Sequence, residues 1–308
     1  VKKAIIHQFS PDDTDLYLAD KFLNITPKIE EYLRKKIERV YSDEARTGIF
    51  EEDNPFLEMI SDDLLETSVA VANRWKEEFV VSENQKTNDL VFIQFSKEGV
   101  DHFAFLRIAL RETLTHLGGE VDNPIKLTQN NLPGFGTGAD EALVINLQSR
   151  KYHLIEKRIK YNGTFLNYFS ENLLQAQPKI SPKKSIKALE KTAQKIAESF
   201  NTDDFQFQSK VKSAIFNHIE EENKLSPEKL ADDLFDDNLT ARLSFIDQVK
   251  EAVPEPVTFE EIDASRQLKK FENQKLSLSN GIELIVPNNV YEDAESVEFI
   301  LNENGTYS

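Results

Sequence analysis

Carboxylates are the groups most able to do chemistry in this chain. The pairs Asp62-Asp63, Asp203-Asp204, Asp232-Asp233 and Asp236-Asp237 set two acids side by side, an arrangement that could hold a divalent cation or divide acid and base roles. Three of these pairs stand near a helix start or end, where a solvated or dipole-favoured acid accounts for them equally well. The five histidines, at 7, 102, 116, 153 and 218, never stand four residues apart and form no His-Glu-x-x-His, so no metal-hydrolase ligand set is visible. Gly134-Phe135-Gly136-Thr137-Gly138-Ala139 matches a dinucleotide fingerprint by letters. A true fingerprint leaves a strand and opens a helix, whereas here Asn131-Leu132-Pro133 precedes and the strand Ala142 to Leu147 follows, which favours a plain Gly-rich connection. With no phosphate loop, no nucleophile elbow and no cysteine, the reading is of a protein that is not an enzyme, takes no cofactor and no metal, and works by binding.

The binding candidate is a basic zone. Between Arg150 and Lys195 stand 11 Lys or Arg and only three acids, Glu156, Glu171 and Glu190. That surplus of eight positive charges lies in a chain of net charge -17, which leaves -25 for the remainder. Candidate contacts to a polyanion are Arg150, Lys151, Lys157, Arg158, Lys160, Lys183, Lys184, Lys187, Lys191 and Lys195, with Lys179 in the same window. After Ser181, helical spacing gathers Ile186, Leu189, Ala193, Ile196 and Phe200 on one stripe, and Lys184, Lys187, Lys191 and Lys195 fall opposite. Lysines about one turn apart can each neutralise a phosphate, although point charges read no sequence. The plainer reading is the solvated back of an amphipathic helix, since Lys is a good helix former.

The elements that must position these residues are readable from periodicity and caps. The first residues alternate as a strand, and Thr26-Pro27 opens a helix to about Ser42 carrying Ile29, Leu33, Ile37 and Val40. A second helix starts near Ser61. Leu90 to Phe95, a turn at Lys97-Glu98-Gly99 and a strand from His102 to about Arg111 read as a hairpin. On that second strand Ala104, Leu106, Ile108 and Leu110 share one face, while Phe103, Phe105, Arg107 and Arg111 make the other face mixed. Strands at Ala142 to Leu147 and Tyr152 to Ile159 follow, then a short helix carrying Phe165, Leu166, Phe169 and Leu173.

Gln175-Ala-Gln-Pro-Lys-Ile-Ser-Pro182 marks a boundary. Four or five helices come next, capped at Ser181-Pro182, at Ser226-Pro227 and by a Thr258 to Glu261 box. Leu276 to Val286 is a hairpin turning at Asn280-Gly281, and Ser296 to Leu301 adds a strand. The expected class is α+β: an N-terminal domain, 1–176, with an antiparallel sheet and packed helices, then a mainly helical region, 177–308, ending in a small antiparallel sheet.

The absence of Cys and of any apolar run of about 20 residues points to a reducing, cytoplasmic setting without a membrane span. The chain starts at Val1 and stops at Ser308 just where a turn should feed a returning strand, so a few terminal residues are expected to be missing. Net charge repels polyphosphate at long range, so any nucleic-acid site must be local. The acidic stretch from Asn201 to Asp263 could instead dock a basic partner.

Ile5-Ile6-His7-Gln8, the hairpin Leu90 to Leu110, the stretch Tyr152 to Leu174 ending in Phe165-Leu-Asn-Tyr-Phe169-Ser-Glu-Asn-Leu-Leu174, and Arg266-Gln267-Leu268-Lys269-Lys270-Phe271 together resemble the bacterial nucleoid-associated NdpA (YejK-type) family in order and spacing. The resemblance implies a cytoplasmic protein found with the nucleoid, described as DNA-associated and without established catalytic residues. It carries over no contact residue. Two functions are therefore expected in turn: contact with DNA, or RNA, backbone without sequence preference, or an acidic adaptor that reaches the chromosome through a basic protein.

Overall fold

A computed structural model of the chain describes residues 1–12, 14–82, 85–116, 125–161, 163–200, 205–277 and 283–291. The chain divides into two compact units, residues 1–41 with 45–179, and residues 42–44 with 180–308.

The N-terminal unit is built on β1 (Lys3–Ser10), β2 (Asp15–Tyr17), α1 (Pro27–Glu38), β3 (Arg46–Ile49), α2 (Pro55–Glu58), α3 (Leu64–Phe79), β4 (Asn88–Lys97), β5 (Val100–Ala109), β6 (Arg111–His116), β7 (Ile125–Asn131), β8 (Glu141–Asn146), β9 (Lys151–Ile155), β10 (Ile159–Tyr161) and β11 (Thr164–Leu166). Seven of these strands form one sheet in the order β2-β1-β4-β5-β8-β9-β3, antiparallel throughout. Its two outermost strands are only three and four residues long, so little unpaired backbone is offered for stray pairing.

Both faces of the sheet are covered. Val91, Ala104, Leu106 and Val144 pack with Leu33 and Ile37 of α1, while Phe92, Phe105 and Leu143 pack with Trp75 and Phe79 of α3. The face of β5 that carries Arg107 beside Phe103 and Phe105 is mixed in composition, as expected, and yet buried. Arg107 stays within the buried face because it is answered: Nε donates to Glu141 Oε2 at 2.5 Å and Nη1 donates to Asn88 at 2.9 Å. Its guanidinium lies 5.2 Å from the Phe79 ring centroid. Tyr168 donates to the same Glu141 oxygen and accepts from Trp75 Nε1 at 2.9 Å. Burial opposes the charge on Arg107, but Glu141 and Tyr168 hold its pKa above the ordinary value. Burial beside Glu141 also pushes the Tyr168 hydroxyl far up, so it stays a donor.

One strand goes unanticipated, one expected helix changes, and one connection gains a fastening. β3 carries too few residues to show a period, and it is fixed instead by pairing, Gly48 opposite Tyr152. The segment expected to be a short helix from Phe165 is a hairpin, β10 with β11, and the helical turn, of π type, runs only over Phe169–Leu173. The Gly134 to Ala139 stretch is a connection, as its flanks imply, but a fastened one. The fully buried Lys36 of α1 donates to the carbonyls of Gly134 at 2.9 Å and Thr137 at 2.5 Å. Desolvation and the nearby Arg39 and Arg111 lower this ammonium to about 8.

The second unit holds α4 (Pro182–Ser199), α5 (Phe205–Glu222), β12 (Lys224–Leu225), α6 (Pro227–Leu234), α7 (Leu239–Val249), β13 (Val257–Thr258), α8 (Ser265–Phe271), β14 (Asn273–Ser277), β15 (Glu283–Pro287) and α9 (Asn288–Tyr291). Leu189 and Ile196 of α4, Ile215 of α5, Leu230 of α6, Phe245 of α7 and Phe271 of α8 share its core. Residues 42–44 join this unit: Asp43 accepts from Gln267, its carbonyl accepts from Lys183 N, and Ser42 bridges Asp263. The Thr258 to Glu261 cap is not formed. Thr258 is paired in β13 opposite Lys224 and α8 begins at Ser265, because a two-strand clasp holds the chain there. β14 and β15 pair as the sequence implies, Leu276 opposite Leu284. The Asn280-Gly281 turn and the strand expected from Ser296 to Leu301 lie outside the described residues.

Two outcomes follow. Arg107→Met, which strands the Glu141 carboxylate, costs about 3–5 kcal/mol in urea unfolding, whereas the same change beside Glu141→Leu recovers much of the loss; equal losses in both variants would sink the pairing argument. Gly48→Val puts a side chain into the space of the Tyr152 ring and costs about 1–3 kcal/mol, with Tyr152→Ala in the same chain removing the clash.

Candidate nucleic-acid interface

The stripe opposite the buried face of α4 is the element to which the charge pattern points. Ser181 has the extended backbone of a cap and Pro182 follows at the first helical position, where a missing N–H is no loss. The orphan amide of Lys183 is satisfied by Asp43 O at 2.9 Å. Ile186, Leu189, Ala193 and Ile196 are buried, as the period implies, and Lys184, Lys187, Lys191 and Lys195 are exposed.

What decides whether an exposed lysine is available is the partner it already has. Lys184, Lys187 and Lys191 make no ion pair among the described residues, and Lys195 Nζ donates to the neutral Gln248 Oε1 at 3.0 Å. Lys183, off this row, is matched by Glu44 at 2.6 Å. That hydrogen bond from Lys183, opposed by burial, lowers the Glu44 carboxyl below its ordinary range. Glu190, the one acid in the first half of the helix, is met by Lys270 of α8 at 3.2 Å. Glu198 continues the lysine row one turn beyond Lys195, where it accepts from Gln194 at 3.2 Å, and so it ends the positive run. The four lysines span about 16 Å of helix axis.

The other candidates stand in the N-terminal unit at separate places. Arg150, in the turn before β9 with a left-handed backbone, lies 4.0 Å from Glu52. Lys151 opens β9 and is exposed. Lys157, past the far end of that strand, is held by Asp140 at 2.7 Å. Burial pushes the Asp140 carboxyl up, but the bonds from Lys157 and Ala109 N bring it below the usual value. Arg158 donates to Phe165 O at 2.7 Å and lies over its ring, and Lys160 is half-buried in β10. Lys179 belongs to this unit as well. Of the zone's acids, Glu156 is enclosed by Arg46 and Ser170, and burial dominates to raise its pKa.

At least one member of each described aspartate pair is likewise engaged. Asp63 caps α3. Asp232 meets Arg242 at 3.1 Å, Asp233 meets His218 at 2.7 Å and Asp236 meets Lys210 at 3.1 Å, while Asp203-Asp204 lies outside the described residues. No group of three His or acid ligands stands together among the described residues.

Residues 5–307 match the model of the nucleoid-associated protein YejK family. The chain belongs to that family. No curated protein sequence matches it significantly. Family membership sets the protein with the bacterial nucleoid, and no helix of the described residues is long and apolar enough to cross a membrane. The family match covers both units. What reading the sequence missed is the role of Lys270 and Glu44, which set the charge around α4 from 80 and 139 residues away; contacts at such separation leave no periodic signal.

Masking of Lys183 is directly measurable. Its bond to Glu44 predicts a depressed Glu44 titration by NMR and an ordinary one in Lys183→Met. Because the folded value is the lower one, this pair's stabilisation is present above the unfolded value and is lost as pH falls through the folded one. An unchanged Glu44 titration in the variant would mean that Lys183 is free after all.

Proposed function

We propose that the protein binds nucleic-acid backbone without reading sequence, through Lys184, Lys187, Lys191 and Lys195 of α4. The observation that carries this reading is the run of three exposed lysines, on successive turns, that no carboxylate of the described residues meets. Duplex DNA carries a charge for about every 1.7 Å of axis. A row of about 16 Å therefore finds phosphates wherever it lands, and its fit has no sequence phase. DNA is the expected polyanion for a nucleoid protein, and RNA offers the same chemistry. Lys151 and Arg158 can add long-range attraction, whereas Arg150, Lys157 and Lys183 already face Glu52, Asp140 and Glu44.

The alternative, an acidic adaptor that docks a basic chromosomal protein, finds less support. Asp232, Asp233 and Asp236, three of the acids between Asn201 and Asp263 that would form its surface, are engaged within their own unit. The row on α4 faces no such internal competition.

Binding to a duplex of arbitrary sequence is expected to weaken with salt at a logarithmic slope of about -3 to -4. Changing all four lysines to Glu abolishes binding, Lys187→Gln alone lowers the slope by about one, and Lys157→Gln leaves it nearly unchanged. Strong binding that survives the fourfold change would remove α4 from the interface. No binding of the unaltered protein at low salt would favour the adaptor.

A further inference from the structure

Among the described residues of the N-terminal unit, the two most exposed aliphatic side chains stand on one small ribbon, the pair β6 and β7. Leu114 is 73% exposed, Ile125 65% and Leu127 55%. The register sets Leu114 opposite Leu127 and His116 opposite Ile125, which puts all four on one face. The other face is finished internally: Thr128 shares its hydroxyl with Thr113 at 3.0 Å and Thr115 at 3.2 Å. Among the described residues the two strands pair only with each other. They leave the large sheet where β5 and β8 stop pairing, at Arg107 opposite Glu141, and the branch point is pinned by Ala109 N donating to Asp140 Oδ2 at 2.9 Å.

A lone two-stranded ribbon buries too little to be stable, and it gains order when its apolar face is covered by further strands or a partner. Charge decides the partner. The described ribbon carries Arg111 and Lys126 against Glu112, close to neutral in a chain of -17. A basic protein would be drawn to the acidic surfaces instead. A polyanion would gain almost nothing here electrostatically. A second copy of this chain, repelled over most of its surface, can approach at a patch that is apolar and nearly uncharged.

We propose that the β6-β7 ribbon is the self-association arm of the protein. The Leu114, Ile125 and Leu127 faces of two copies pack against each other about a twofold axis, each residue of one meeting the same patch of the other. The arm is separate from α4 in sequence and unit, so this association stands whether or not α4 binds nucleic acid. With both, one particle would carry two lysine rows, and the second contact on a long polyanion would become intramolecular.

Sedimentation equilibrium of the full chain tests the arm. The expected mass is twice 35.3 kDa at micromolar concentration. Leu127→Glu and Leu127→Lys should each weaken association at least about tenfold, and an equimolar mixture of the two should restore it, because opposite charges then meet across the axis. Leu243→Glu, at a leucine 58% exposed on α7, should leave the mass unchanged. A monomeric native protein throughout, an association that either Leu127 variant leaves intact, a mixture that stays monomeric, or an equal effect of Leu243→Glu would each overturn the proposal. So would a monomeric protein whose DNA affinity falls in both Leu127 variants, which would make the ribbon a groove-binding element.

Discussion

A chain with a formal charge of -17 can meet another polyanion only where its own acids are already engaged, and this constraint organises much of what the structure does with charge. Around α4 the accounting is local. Glu190 is answered by Lys270 and Glu44 is drawn to Lys183, while the three lysines at 184, 187 and 191 meet no carboxylate of the described residues. Long-range repulsion is screened within about 8–10 Å at physiological salt. Beyond that distance the molecule is acidic, and within it the face of one helix is not.

The same rule of pairing governs the interior. Arg107 and Glu141 place a full ion pair on the central strand of the sheet, at the end of its pairing with β8 and against largely apolar neighbours. A buried pair of this kind adds little stability over apolar residues of equal size. It does select one register, because a slip of β5 against β8 by one residue would part the guanidinium from the carboxylate and turn each to the opposite face.

The α+β class, the order of the long elements and the amphipathic α4 were legible because each rests on a period or a cap within a dozen residues. Thr26-Pro27 and Ser226-Pro227 cap as their letters imply. What stayed hidden depends on distant partners. β3 is four residues long and is defined by β9, about a hundred positions later; the Thr258 box was overruled by a clasp with β12; and β6 and β7 alternate too weakly to be told from loop. For the candidate interface the sequence supplied the lysines and their face, but not which of them were matched. Lys157 and Lys187 look alike in the sequence, and only Asp140 distinguishes them.

The chain has one tryptophan. Trp75 lies in the N-terminal unit, without exposure to water, its N–H on the Tyr168 hydroxyl and its ring stacked 4.4 Å from Phe79. Its fluorescence is therefore an optical signature of one unit alone, blue-shifted while that unit is intact and blind to the melting of α4 to α8. Emission and far-ultraviolet dichroism recorded on the same sample would separate the two halves of the molecule without labels, and any lag between them would measure how strongly the halves support each other.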